Sequence, residues 1–288
     1  MVTFFQLLYS GLGQGMVLGV FGFALAFLFQ VCNVINVAIG EFAMMAVLAS
    51  VTMVGAGIPT ALAIVICVVG AIIVALLYER FVLAPTIRRP SSDRVLQLFL
   101  LTFALSMLMQ GVALRAFGRN VFALPPFFGN SAFRIGGVAI DKTELLVIGV
   151  GLVLCAGTYL FTKKTLYGKA LTAVGINERG AVAVGISPVF YRRLAISISC
   201  VLAVVIGTLV SPIIAFNYSS GFLLAVTGLL AATIAGLRNP VLALTVGVGV
   251  GLLQSLVGGY VSGTYQGVVA LAILTAIVLA RPNVVNAR

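Results

Sequence analysis

Residues 163–193 read KKTLYGKALTAVGINERGAVAVGISPVFYRR, a basic, polar stretch with apolar runs on both sides long enough to cross a bilayer. It holds six of the chain's 17 cations, namely Lys163, Lys164, Lys169, Arg179, Arg192 and Arg193. Its central part, 168–186, is too polar and too rich in glycine to cross a membrane itself. The small apolar residues Ala170, Ala173, Val174, Ala181, Val182 and Val184 can form two short faces. Two readings stand side by side. One is a short helix parallel to the membrane that fits a partner's groove. The other is a solvated loop held at the lipid headgroups by its lysines and arginines.

Composition explains why the flanking runs are membrane spans. The 288-residue chain is 62% hydrophobic and only 8% charged, with a mean hydropathy of +1.24. Soluble domains carry about 25% charged residues, and a soluble core of this size could not hide so much apolar surface. The runs are continuous and do not alternate at period two, which disfavours a β-barrel and predicts a polytopic all-α membrane protein. The net charge of +11 does not imply nucleic acid, because the cations sit in short loops beside the spans. Cys32, Cys67, Cys155 and Cys200 all lie in apolar segments and read as small buried hydrophobes. Without histidine, a zinc site has no basis. The N-terminus lacks the basic region and cleavage site of a signal peptide and reads as the start of the first span.

Nine apolar segments are expected, at about 5–30, 41–55, 58–83, 95–116, 143–162, 190–216, 221–237, 240–258 and 265–281. The second and seventh are short enough to be half-spans or re-entrant pieces, so eight crossings is the alternative. If all nine cross, Arg80, Arg88, Arg89 and Arg94, the 163–193 stretch, Arg238, Arg281 and Arg288 share one side. Only Arg115, Arg119, Arg134 and Lys142 lie opposite. The richer side is predicted to be cytoplasmic, with the C-terminus inside and the N-terminus outside. Residues 117–142 form the longest external loop, with turn signals at Pro125-Pro126, Gly129-Asn130 and Gly136-Gly137. Gly11, Gly15 and Gly19, and later Gly247 and Gly251, recur at helical spacing and predict close helix packing within the chain.

Missing chemistry narrows the function. There is no GxxxxGK[ST] loop for nucleotide, no GxSxG nucleophile and no pair of intramembrane carboxylates for a proton relay. An enzyme therefore has little to stand on. Of the six acidic residues, Glu41 is the one placed near membrane depth. It follows a polar face made by Gln30, Asn33 and Asn36, which suggests a helix that breaks inside the membrane. There Glu41 either caps the next helix or faces the solute.

Two signatures then carry a resemblance. Val34-Ile35-Asn36-Val37-Ala38-Ile39-Gly40-Glu41 is similar to the Asn-Phe-Ala-His-Gly-Glu of the integral permeases of branched-chain (hydrophobic) amino acid ABC importers. Asn36, Ala38, Gly40 and Glu41 fit, while Val37 and Ile39 replace phenylalanine and histidine. Gly168 through Gly185-Ile186 has the spacing of the cytoplasmic loop of that family. Gly168, Ala170, Ala173, Ala181, Gly185 and Ile186 fit, and Thr172 stands where arginine is common. Ala280-Arg281-Pro282 gives a third match, although Tyr265-Gln266-Gly267 departs from the usual pattern and Gln254 replaces a frequent glutamate. The resemblance spans nearly the whole chain.

That resemblance implies a single permease domain, 1–288, of about eight to nine spans in a bacterial inner membrane. Its coupling loop, 163–193, would insert a coupling helix into an ATPase through Gly168, Ala170, Thr172, Ala173, Asn177, Glu178, Arg179, Ala181, Gly185 and Ile186. A second homologous permease, two cytoplasmic ATPase subunits and a periplasmic binding protein are the implied partners, besides lipid. ATP and magnesium would reside on the ATPases, and this chain would need no cofactor. Asn33, Asn36, Glu41, Ser106, Gln110, Ser211, Asn217 and Gln254 are the uncommon polar side chains in or near spans. They are the candidate solute pathway, with helix–helix hydrogen bonds as the other use of each. The rival class is a self-sufficient secondary transporter or channel, which would need an intramembrane ion site.

Overall fold

The computed structural model describes residues 2–88, 94–128, 132–135, 138–260 and 272. The chain runs through α1 (Val2–Cys32), α2 (Ile39–Gly55) and α3 (Thr60–Tyr78), then a π-helical turn at Glu79–Leu83 that leads into α4 (Ala84–Arg88). Next come α5 (Arg94–Phe117), the strands β1 (Ala132–Ile135) and β2 (Val138–Asp141), and α6 (Lys142–Lys164). The rest is α7 (Leu166–Ile176), α8 (Glu178–Ala183), α9 (Pro188–Val210), α10 (Ser220–Ile234) and α11 (Pro240–Tyr260). The antiparallel β1–β2 pair is a small correction to the all-α expectation; it lies in the loop where turn signals were read.

Among the described residues six helices are long and apolar enough to cross a membrane: α1, α3 with its extension to Ile87, α5, α6, α9 and α11. The two segments expected to be short are α2 and α10, with 17 and 15 residues. The ninth expected segment, 265–281, lies outside the described residues except for residue 272, as do Arg89, Arg281, Arg288 and the signatures at 265–267 and 280–282.

Burial separates inner from outer helices. In the most apolar window of α1, 83% of residues are buried, against 22% in α3 and in α5. α1 therefore forms the axis, packed by α11, α10, α9, α6 and α7. Its side chains Phe21, Phe23, Leu25, Phe27 and Leu28 fill the core. Lipid tails are as apolar as leucine, so close van der Waals contact has to hold such helices together. Gly15 and Gly19 supply it: Gly251 packs on the backbone of Gly15, and Gly247 on that of Gly19. The glycine spacing read in the sequence is thus an intramolecular α1–α11 seam.

Two breaks shape the centre. α1 ends at Asn33, whose φ of 52° is a left-handed conformation that asparagine tolerates. Non-helical backbone at membrane depth needs partners from protein. Thr102 of α5 supplies them, with its hydroxyl 2.9 Å from the Ile35 carbonyl and 3.4 Å from the Val37 N–H. Asn36 Oδ1 accepts from the Ala38 N–H at 3.1 Å. The second break, 211–219, is held by paired backbone hydrogen bonds between Phe122 and Phe216, both 2.8 Å. Asn217 Oδ1 accepts from the Ser219 N–H at 3.0 Å, and its own N–H donates to Ser220 Oγ at 2.9 Å.

The order long helix, break, short helix, long helix therefore occurs twice, as α1–α2–α3 and α9–α10–α11. The two copies run in opposite senses. α1 starts beside Asp141, to which Tyr9 donates a hydrogen bond, and ends against α7, where Gly175 abuts Gln30. α9 starts beside α8 and ends at Ser211, next to Leu124. This is the arrangement of an inverted repeat.

Candidate functional site

The two short helices meet at their N-termini. Gly40 in the first turn of α2 packs against the backbone of Gly221 in the first turn of α10. Each glycine follows an asparagine by four residues, Asn36 and Asn217, and each asparagine folds the turn that starts its helix. A side chain at Gly40 would overlap the Gly221 carbonyl, and one at Gly221 would fall 2.8 Å from the Gly40 carbonyl. Only glycine lets these two backbones cross so closely.

Glu41 sits at this crossing, fully buried. Its Oε1 accepts from Ser106 Oγ at 2.9 Å and from Gln110 Nε2 at 2.8 Å, both on α5. Its Oε2 faces Gly221 and accepts no hydrogen bond among the described residues. The carboxylate does not cap α2, so that reading of Glu41 is corrected: the turn is closed by Asn36 instead. It does occupy the positive end of both short helices, where a negative charge is favoured. Two hydrogen bonds and two helix N-termini favour the ionised form and work against the cost of burying it.

The structure thus brings Asn36, Glu41, Ser106, Gln110 and Asn217 to one crossing. The other three pathway candidates lie elsewhere. Asn33 is at the far end of the first break, where its Oδ1 accepts from Arg238 at 3.1 Å. Ser211 is buried, but its hydroxyl accepts from the Leu124 N–H and so anchors the external loop. Gln254 is on α11, not on α2, α5 or α10, and is half-buried there rather than in the core. Thr102 was missed, although Thr102, Ser106 and Gln110 recur at four-residue steps and so share one face of α5. On the adjoining side of α2 and α5 lies an apolar cleft of about 430 Å³, lined by Met45, Met53, Cys67, Leu105 and Met109 among others.

At the other end, α7 and α8 are built as sharply capped short helices. Thr165 Oγ1 accepts from the Gly168 N–H, and Asn177 Oδ1 from the Gly180 N–H, each at 3.0 Å. Gly185, with φ 81°, ends α8, and the Ile186 N–H returns to the Ala181 carbonyl at 2.9 Å. Gly168 and Ala181 are buried and serve this fold, with Ala170, Thr172, Ala173 and Ile186 half-buried beside them. Asn177, Glu178, Arg179 and Gly185 are exposed, together with the apolar side chains of Ile176, Val182 and Val184. α8 therefore offers a small apolar surface next to a charged one.

A second carboxylate, not among the candidate site residues, is also buried in the protein. Glu79, in the π-helical turn after α3, is fully buried. Its Oε2 accepts from Arg193 Nε at 2.8 Å, and its Oε1 lies 4.0 Å from Arg192 Nε. Arg192 is buried as well, and its Nη1 donates to Glu178 Oε1 of α8 at 2.7 Å. A line of alternating charge thus runs from α8 through the start of α9 to the end of α3. No group of three or more metal-ligating side chains occurs among the described residues.

Residues 7–278 match the family model described as branched-chain amino acid transport system / permease component. Three relatives are the high-affinity branched-chain amino acid transport system permease proteins LivH of Salmonella typhimurium, Salmonella typhi and Escherichia coli K12. Each is 23% identical over 291 residues, which covers 97% of this chain and 94% of the relative. No solved structure matches at a significant level.

Proposed function

Since the chain belongs to the family of permease components of branched-chain amino acid transport systems, we propose that it passes a branched-chain amino acid or a related small solute through the α2–α10 crossing by alternating access. It is the transport subunit of an importer, and ATP with magnesium acts on two separate cytoplasmic ATPase subunits. A second permease and a periplasmic binding protein complete the assembly. The single permease domain, 1–288, lies in a bacterial inner membrane with α7, α8 and the C-terminus in the cytoplasm, the side richer in cations.

One observation carries this reading: Glu41 is only half satisfied where two half-helices meet. Discontinuous helices whose N-termini converge at the midplane are a recurring way to build a transport site. In the present state the glycine contact closes the crossing. When α2 and α10 part, Oε2 becomes free to accept from an N–H donor such as a solute ammonium. The neighbouring Met-lined cleft suits an apolar side chain. An isolated ion-coupled carrier is the weaker alternative, because Glu41 already has two neutral donors and, among the described residues, no second acid bonded to them.

Glu41→Gln is expected to assemble normally and to lower solute uptake in proteoliposomes at least about tenfold, which corresponds to about 1.4 kcal/mol of lost interaction with the solute. Glu41→Ala is expected to lose more, since it also strands Ser106 and Gln110. Normal uptake by both variants would remove Glu41 from the pathway.

Energy enters through α7 and α8 by contact with an ATPase. ATP must favour one state of the assembly over the other for this to work. A cysteine at Val182 or Val184, both exposed, is expected to crosslink to an ATPase subunit, with a yield that changes when ATP is trapped. The buried Ala181 is not a suitable site. Absence of any crosslink from both exposed positions in the purified complex would sink the docking role.

A further inference from the structure

A cavity of about 580 Å³ opens between the ends of α6 and α11, at the same end of the bundle as α7. Its floor is Phe23, Phe27 and Gln30 of α1, and its rim carries Lys163 and Arg238. No acidic residue lines it among the described residues. Lys163 sits at the last turn of the α6 span, and Arg238 lies two residues before α11. Both cations are therefore at the level where a span leaves the bilayer. The tight turn that presents Arg238 includes Gly236 and Leu237 at φ 79° and 58°, and the Asn33 side chain accepts from its guanidinium. The cation is thus held in place, and left-handed backbone at a non-glycine residue is kept only where surroundings enforce it. Tyr159 of α6 and Val241 and Leu242 of α11 line the outer edge and are partly exposed.

We propose that this cavity binds one anionic phospholipid of the cytoplasmic leaflet, with its phosphate between Lys163 and Arg238 and its acyl chains along Tyr159, Val241 and Leu242. Three features choose this occupant. The cavity has two cations and no counter-charge. Those cations stand at headgroup depth, where basic pockets between spans recruit acidic lipids. The cations at the rim adjoin the apolar side chains of Tyr159, Val241 and Leu242 at the outer edge, so a headgroup and its chains can lie side by side, while Gln30, Thr162 and Thr172 make part of the remaining lining polar. The site is separate from the α2–α10 crossing, and its test does not depend on transport.

The experiment is native mass spectrometry of the assembled transporter, released from micelles that contain phosphatidylglycerol, cardiolipin or phosphatidylcholine. The parent complex is expected to retain phosphatidylglycerol or cardiolipin at least fivefold more than phosphatidylcholine. Lys163→Gln combined with Arg238→Gln should erase that preference. Lys164→Gln combined with Lys169→Gln removes the same charge from exposed positions that do not line the cavity and should keep it. If the Arg238 change prevents assembly, Lys163→Gln alone should halve the preference or more. Equal retention of all three lipids overturns the proposal, as does full retention by the Lys163/Arg238 variant. Displacement of the lipid by millimolar inorganic phosphate would assign the site to a free anion instead. A disulfide or crosslink from Tyr159→Cys to a partner subunit would show that protein fills the cavity and would likewise overturn it.

Discussion

Gly40→Val is expected to abolish assembly of the transporter, and Gly40→Ala to cut its folded yield sharply. A Cβ at residue 40 meets the carbonyl of Gly221 and lies 2.9 Å from the Ala225 nitrogen. Both obstacles are backbone, so no rotamer change relieves them, and α2 and α10 must move apart. Overpacking a core by one or two methyl groups costs about 1–3 kcal/mol. Here the displaced atoms are helix backbone, and separation also exposes Glu41, so an effect above about 3 kcal/mol is expected for valine. Gly221→Ala should behave alike, since its Cβ would press on the Glu41 carboxylate and on Gly40. The double variant should cost less than the sum, because the helices separate only once. Gly70→Ala and Gly149→Ala meet nothing within 4 Å and should change stability by no more than about 0.5 kcal/mol. Fluorescence-detected size exclusion with a thermal ramp reads all of these. A Gly40→Val complex as stable as the parent would remove the crossing from the account of the fold.

Part of this crossing is legible in the sequence. The short second and seventh segments are visible as short, and polar residues leading to Gly-Glu signal a break, because a bilayer tolerates little else there. What the chain alone does not display is that Asn36 to Gly40 and Asn217 to Gly221 are one motif used twice. Two residues at fixed spacing are too little to stand out in a sequence with 32 glycines. Ser211 shows the limit from the other side. A serine in an apolar run reads as a pathway residue, yet its partner is a loop N–H 87 residues away in sequence. Glu79 stands beside Arg80 in the sequence, and nothing local marks it as buried. Its real partner, Arg193, is 114 residues distant, and no local periodicity can pair them. The residues on helical faces were readable, and those joined only by tertiary contact were not.

That tertiary link leads to the second large effect: Glu79→Ala is expected to destabilise the complex by about 3–5 kcal/mol, the usual cost of leaving one partner of a buried pair uncompensated. Arg192 would keep only Glu178, whose side chain is about half exposed and so a weak partner in water. Glu79 has no exposure at all but the Arg193 side chain is 40% exposed, so salt should screen their pair in part, and the stability lost should be somewhat smaller at high ionic strength than at low. Replacing Glu79, Arg192 and Arg193 together by methionine should recover much of the loss, because a well-packed apolar substitute removes the stranded charges. Function should not recover with it. Glu178 lies on α8 and Glu79 at the end of α3, and Arg192 stands between them on α9, so a displacement of α8 reaches two spans through one charged line. The 4.0 Å gap between Arg192 Nε and Glu79 Oε1, both lacking a hydrogen-bond partner, leaves room for that line to tighten. The stable triple variant is therefore expected to hydrolyse ATP with its partners while importing little solute. Measured as solute imported per ATP, a ratio equal to that of the parent would mean that the charges hold the fold together and carry no motion.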